Sequence, residues 1–571
     1  MRFIYAFLLL LLLEGSLHAQ IISVETISSN IQQSLQQRLK GQNKPIVQAL
    51  YQQAGYKPLW IGPENRSKMN QLILALQDPM FNYKNKAFDQ QNIAQYLYKL
   101  DNNQINEGNK AAVYARVDMM LTNSFVRLVR FIVQGDVNWN LVQQKLYALK
   151  ASNDITAHWD MTFKALPDTY TLFSAIASGE IYPYLNSLIP MEKRYKALIK
   201  LLKRYQSMPT FPKVEYANET LKLGDKSGRV EQVKQRLQVE GDYPKNAPID
   251  RTFTKTLQRA VASFQKRYNI AVDGKVDKVT NYYLNLPISD NIQSIITNLD
   301  KTKLYPKSFE DEYIESNIPD FRLTYYKNGV PSKKMALVVG RIDRPTPLFE
   351  DKVRFMVLNP TWTVPDNLIK RDLIHVLREN PSYLEENNIH AFAGNNEIRI
   401  TQAQLDPYEN SDRPVPYRFV QYPGDKNALG RVKFMFPNKY DVYLHDTDNK
   451  SLFDQRYRVY SSGCMRVQKP MALMSTLLEH AQGSYTKSKI DQIFATNQPV
   501  TISLSKPVPI HIIYFTAYEE NGKAYFRNDI YLYDKIIEES VEGNSKRTFT
   551  VPSKRLIDIK KNAQTVKTVS N

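Results

Sequence analysis

The 571-residue chain holds one cysteine, Cys464, in the stretch YSSGCMR (Tyr460 to Arg466). Nineteen residues before it stands His445, in YLHDT (Tyr443 to Thr447). A thiol attacks as its thiolate, so it needs a base or a cation beside it and a backbone that admits the substrate. Ser461, Ser462 and Gly463 supply such a backbone. Glycine lets the chain come close to a substrate carbonyl, and the amides of Ser462, Gly463 and Cys464 are candidate donors to a developing oxyanion. His445 closes an alternating strand, from which its ring could reach sulfur on a neighbouring strand. A thiol and a base so placed suit acyl transfer through a thioester. A lone cysteine without such company reads more simply as a small buried hydrophobe.

Other chemistries find less support. Neither Ser461 nor Ser462 lies in a strand-to-helix elbow. There is no HExxH pattern, and the helix with His375 and Glu379 lacks a third metal ligand. No glycine loop suits a phosphate. No metal and no cofactor is expected.

The elements that must position this pair are strands. FRLTYYKNGV alternates and ends in an Asn-Gly turn, and KKMALVVG and RFMVLNPTWTV follow. VKFMFPN, DVYLHDT, VTISLS and PIHIIYFTAY resume the pattern later. The strand-rich part spans 315–536, interrupted at about 366–422 by an insertion that reads as helical and irregular. Within it Arg371, Tyr383 and Tyr417 are candidate substrate contacts and equally ordinary surface residues. From 537 to 571 the composition is polar and basic, the mark of a partly disordered tail.

Ahead of the strands lie two helical units. Residues 20–210 carry mixed spacings of three and four, as in IQQSLQQRLK and VDMMLTNSFVRLVRFIV. Trp60 there is expected to anchor a core. A turn-rich stretch around 208–217 precedes a compact unit at 218–286. Here LKLGDKSGRV leads into a helix with Val230, Val233 and Leu237 on one face. AVASFQKRY carries Ala260, Val261 and Phe264, and VDGKVDKVT supplies a second Asp-Gly turn with Asp277 as a cap.

Residues 1–19 read as a secretory signal: Arg2, an apolar run from Phe3 to Leu13, and a cut after Ala19. That run is short for a membrane span, so the processed chain is expected not to span one. The formal charge of +19 suits an anionic partner. Export argues against nucleic acid and leaves anionic wall polymers or membrane surfaces.

The unit at 218–286, through LKLGDKSGRV, AVASFQKRY and VDGKVDKVT in that order, resembles the peptidoglycan-binding domain of wall hydrolases and transpeptidases. The strand-rich part resembles the catalytic core of L,D-transpeptidases of the YkuD fold, large periplasmic type with an N-terminal scaffold. RPTPLF, LNPTWTVP, NALGRVKFMFPN, YDVYLHDT, SSGCMRV and FRNDIY carry that resemblance. It implies a multidomain α+β chain: helical scaffold, three-helix peptidoglycan-binding domain and mostly-β catalytic domain with a helical capping insertion.

It also implies roles. Cys464 is the nucleophile, His445 its base, the carbonyl of Asp446 orients the imidazole, and Arg466 fixes the site or a substrate carboxylate. Many family members have a second histidine where Ser462 stands; the large periplasmic members share the serine. The implied substrate is peptidoglycan, stem peptides and glycan, met in the periplasm, with wall-synthesis enzymes as candidate partners. The implied reaction is 3-3 cross-linking of stem peptides. An L,D-carboxypeptidase, attachment of an outer-membrane protein to the wall, or an idle wall-binding scaffold are the alternatives.

Overall fold

The computed structural model describes residues 23–37, 41–153, 155–409 and 411–542. The expected signal segment lies outside them, as do residues 543–571. Among the described residues no helix is long and apolar enough to cross a membrane.

The N-terminal part is helical, built around a 27-residue helix, Glu107–Val133. Its apolar positions bury Val117, Leu121, Phe125, Leu128 and Ile132 against the surrounding helices. Trp60 is fully buried, as expected, and donates through Nε1 to Thr122 (2.9 Å). Asp118, also buried, accepts the amides of Leu59, Trp60 and Ile61 at 3.0, 2.8 and 2.9 Å. A buried carboxylate is costly unless its oxygens are bonded, and here three loop amides do so while fixing the Trp60 segment to the helix.

The next unit has the three expected helices, Gly228–Glu240, Lys255–Arg267 and Lys278–Leu284. Val230, Val233, Leu237, Ala260, Val261 and Phe264 form its buried face, and Asp277 caps the third helix by accepting from Thr280 N (2.7 Å). This unit is not a bead on a linker. Its core is continuous with that of the helical part and with Ala517, Ala524 and Phe526, and Phe211 and Val214 of the turn-rich stretch are buried as well.

A polar knot sits at the same junction. Glu240 accepts from Arg236 (2.7 Å), Tyr205 (2.7 Å) and Tyr268 (3.0 Å). Arg267 pairs with Asp242 and donates to Ala524 O (3.0 Å). Burial works against the charge of Glu240, but Arg267 and Arg236 outweigh it and bring its carboxyl down to about 2.

The strands run in chain order as β1 (Tyr313–Asn317), β2 (Arg322–Lys327), β3 (Val330–Gly340), β4 (Glu350–Leu358) and β5 (Trp362–Thr363). They continue as β6 (Ile389–Ala393), β7 (Asn396–Ile398), β8 (Tyr417–Gln421), β9 (Val432–Met435) and β10 (Leu444–His445). The last five are β11 (Val459–Ser461), β12 (Met465–Val467), β13 (Val500–Ile513), β14 (Ala517–Glu520) and β15 (Lys523–Phe526). Nine of them form one sheet in the order β11-β3-β12-β10-β9-β4-β13-β1-β2. The first half of β3 also pairs with β2, which brings the two ends of the sheet together in a barrel-like closure.

Three features depart from the sequence reading. The insertion is not only helical: β5, β8, β6 and β7 form a second, four-stranded sheet. It encloses a core of its own, with Ile369, Ile374, Leu377, Ile389 and Phe419. The helical scaffold does not end cleanly either. Val137, Trp139, Leu146 and Trp159 pack into the core of the large sheet, and Trp159 bridges to Leu348. The tail begins later than expected, because Ile537 is fully buried and Val541 bridges to Val137.

Candidate active site

Two short strands at the middle of the large sheet set the site. β10 pairs in parallel with β12, placing His445 opposite Arg466, and antiparallel with β9, placing His445 opposite Lys433. Residues opposite each other share a face, so an imidazole stands between two cations.

His445 is buried, 5% exposed, and its Nδ1 lies 2.5 Å from the Asp446 carbonyl oxygen. With Nδ1–H donating there, the lone pair belongs to Nε2, the tautomer a general base needs. The carboxylate of Asp446 meanwhile accepts from Arg431 N (2.9 Å) and Thr447 N (2.7 Å) and pairs with Lys450. A Cβ at Gly430 would lie 2.4 Å from that carboxyl group, so the close approach requires glycine.

Cys464 sits on the turn between β11 and β12, where Gly463 takes φ +119°. The thiol, half-buried, is directed at the Asp441 carbonyl (3.9 Å), and among the described residues no hydrogen bond joins it to His445. Such contacts often tighten only when substrate arrives. Tyr443 offers the sulfur both its amide and its hydroxyl.

The candidate oxyanion donors are fewer than the sequence suggests. The Gly463 amide is engaged by Ser461 Oγ (3.2 Å), whose hydroxyl donates in turn to Cys464 O (2.5 Å). Among the described residues the Ser462 and Cys464 amides have no partner in the chain, so these two are the free donors. The Ser462 side chain is likewise occupied, accepting from Arg344 (3.0 Å). Arg466 donates to Thr447 Oγ1 (3.2 Å), while its buried Nε has no partner.

Lys433 and Tyr443 were not singled out by sequence reasoning. The Lys433 ammonium lies 5.7 Å from the Tyr443 ring centre. The signal that finds both is strand register, with Tyr443 two residues from His445 and Lys433 directly across from it.

Electrostatics make the resting pair neutral. Burial pushes the Cys464 thiol up to about 11, against the Tyr443 donors and Arg466. Burial, with Arg466, Lys433 and Lys450, holds His445 down to about 3. Thiolate and imidazolium therefore arise together by proton transfer rather than standing preformed. Acylation of Cys464 by a carbapenem, followed by mass, is expected to change by less than about threefold between roughly pH 5 and 8. An acid limb near the ordinary imidazole value of 6.5 would show instead that His445 titrates freely. Below about 3 the base is protonated and acylation stops.

Comparison with known proteins accords with this geometry. Residues 311–502 match the L,D-transpeptidase catalytic domain (YkuD), 45–202 the scaffold domain, and 226–284 the family described as "Putative peptidoglycan binding domain". A Haemophilus influenzae protein named "Putative L,D-transpeptidase" is 31% identical over 305 residues, 52% of this chain and 60% of that protein. The chain thus spans less than two thirds of that relative's length.

Solved structures match weakly. An L,D-transpeptidase (Yku) from Stackebrandtia nassauensis has a TM-score of 0.20 at 12% identity, over 55% of this chain and 99% of that one. One from Xylanimonas cellulosilytica has 0.18 at 14% identity, over 52% and 100%. In chain order the matches thus run from a scaffold domain at 45–202 through a peptidoglycan-binding domain at 226–284 to a YkuD L,D-transpeptidase catalytic domain at 311–502.

Proposed function

We propose that the chain is a periplasmic L,D-transpeptidase that forms 3-3 cross-links between peptidoglycan stem peptides through a thioester on Cys464. The observation that carries this reading is a half-exposed thiol, on a turn with two free amides, at the start of the strand next to the one bearing a buried imidazole whose Nδ1 is fixed by the Asp446 carbonyl.

His445 Nε2 takes the thiol proton as sulfur attacks the carbonyl at the L-centre of the third stem residue. The Ser462 and Cys464 amides face the oxyanion. The terminal D-Ala leaves with the proton from His445, and the acyl group remains on sulfur. A side-chain amine from a second stem then gives up a proton to His445, attacks the thioester and releases the thiol. Water in place of that amine yields a tripeptide, the L,D-carboxypeptidase outcome. Arg466, beside the base and with an unpartnered Nε, fixes the site or holds a substrate carboxylate.

The test is a timed incubation of the full chain with tetrapeptide muropeptides, separating dimer from tripeptide by mass. Dimer with a 3-3 bond supports the reading, and tripeptide alone assigns the carboxypeptidase. No turnover, with an intact thiol, leaves a wall-binding scaffold.

A further inference from the structure

The loop after β3 turns back beneath the nucleophile. Thr346 Oγ1 accepts from Gly340 N (2.9 Å) and donates to Gly463 O (2.8 Å). Two residues earlier lies Arg344, 6% exposed. Its Nη1 donates to Ser462 Oγ (3.0 Å) and to Asp372 Oδ2 (2.5 Å), and its Nη2 to Asp372 Oδ1 (3.1 Å). One buried guanidinium therefore spans two bodies, the turn that carries Cys464 and the capping insertion.

The cap's side of this contact has its own geometry. Asp372 lies in a π-turn, Ile369–Leu373, set inside the helical run that begins at Asp366 and ends at Glu379. A π-turn adds a residue to the helix and re-aims the side chains beside it. The cap's apolar core is separate from that of the large sheet, so the cap can move without unpacking the catalytic core. Bidentate carboxylate pairs are among the stronger polar contacts and demand one orientation. Breaking this one leaves Arg344 buried without a counter-charge, apart from the more distant Asp343 (3.8 Å).

We propose that Arg344 is a positioning residue that couples the cap to the nucleophile turn. With Asp372 seated, Arg344 holds Ser462 and keeps the Ser462 and Cys464 amides in place to receive an oxyanion. When the cap lifts, that hold is released, so closure over substrate and completion of the oxyanion site are one event. The proposal rests on Cys464 being the nucleophile of the reaction given above.

The experiment is single-turnover acylation of Cys464 by a carbapenem in the full chain, for Asp372→Asn, Ser462→Ala and the pair together. Each single change is expected to slow acylation by about tenfold, and the pair to be no slower than the slower single one. Multiplied effects, or single effects within about twofold of the parent, overturn the coupling. Asp372→Glu should recover most of the rate, whereas a purely local packing role would make the longer side chain no better than Asn. Amide hydrogen exchange over residues 459–466 should rise in Asp372→Asn, and unchanged exchange overturns the proposal whatever the enzyme does. Failure of the parent chain to acylate at all, with exchange still raised, sinks the reaction and not the latch.

Discussion

Cys464→Ala removes the dimer and the tripeptide together in the muropeptide digest, leaving the tetrapeptide unchanged. On the proposed mechanism both products pass through one thioester, and the chain has no second thiol to replace it. The loss should reach the detection limit, because nucleophile and base act as a unit and the remaining amides have no acyl-enzyme to stabilise. In the folded state the change takes the sulfur acceptor from the Tyr443 amide and hydroxyl but leaves the turn's own contacts in place. The residue is half-buried on a turn held by Ser461 Oγ, Thr346 and the Met465 amide, none of which uses the sulfur. Dimer formation surviving in this variant refutes the mechanism, and an unchanged melting temperature alongside lost activity excludes unfolding as the cause.

His445→Ala is the second large effect. Removing a general base costs ~100-fold to 10,000-fold in rate, and on the proposed mechanism the same imidazole serves acylation and aminolysis. Both products should fall by the same factor, so the ratio of dimer to tripeptide stays constant while the total drops. The starting point makes the dependence steep. The thiol is pushed up to about 11, so almost none is thiolate at neutral pH without a base to take the proton. A variant that loses dimer but keeps tripeptide would assign His445 to the amine step alone.

The parts of this fold that the sequence reveals are those written in local pattern. Asp277 followed by Val279 to Leu284 announces a capped helix, and Val230, Val233 and Leu237 announce a buried face. His445 and Cys464 stand out because a base at a strand end and a thiol after glycine are chemical types at telling positions. What stays hidden depends on register and long-range contact. Lys433 is an unremarkable lysine until β9 is set against β10, and Tyr443 reads as a core aromatic until the turn brings sulfur to it. Strands β6 and β7, five and three residues long, are too brief for alternation to register, so the insertion reads as irregular. Gly463 was expected to donate its amide, but only the folded turn shows Ser461 Oγ taking it. Arg344 belongs to a stretch that marks the family, yet nothing in RPTPLF names Asp372 or Ser462 as its partners.

The knot of Arg236, Glu240, Asp242 and Arg267, tied to Tyr205 on one side and Ala524 on the other, has a mechanical consequence. A recognition module that hangs on a flexible tether samples a sphere of targets, and its enzyme cuts or joins wherever chance brings it. Here the module is clamped between the scaffold and the hairpin of β14 and β15, and the apolar core runs through the joint. If that module grips a glycan strand, the reacting thiol is carried at one set offset and angle from the point of grip. Grip and chemistry would then be coupled by the fold itself rather than by the length of a tether.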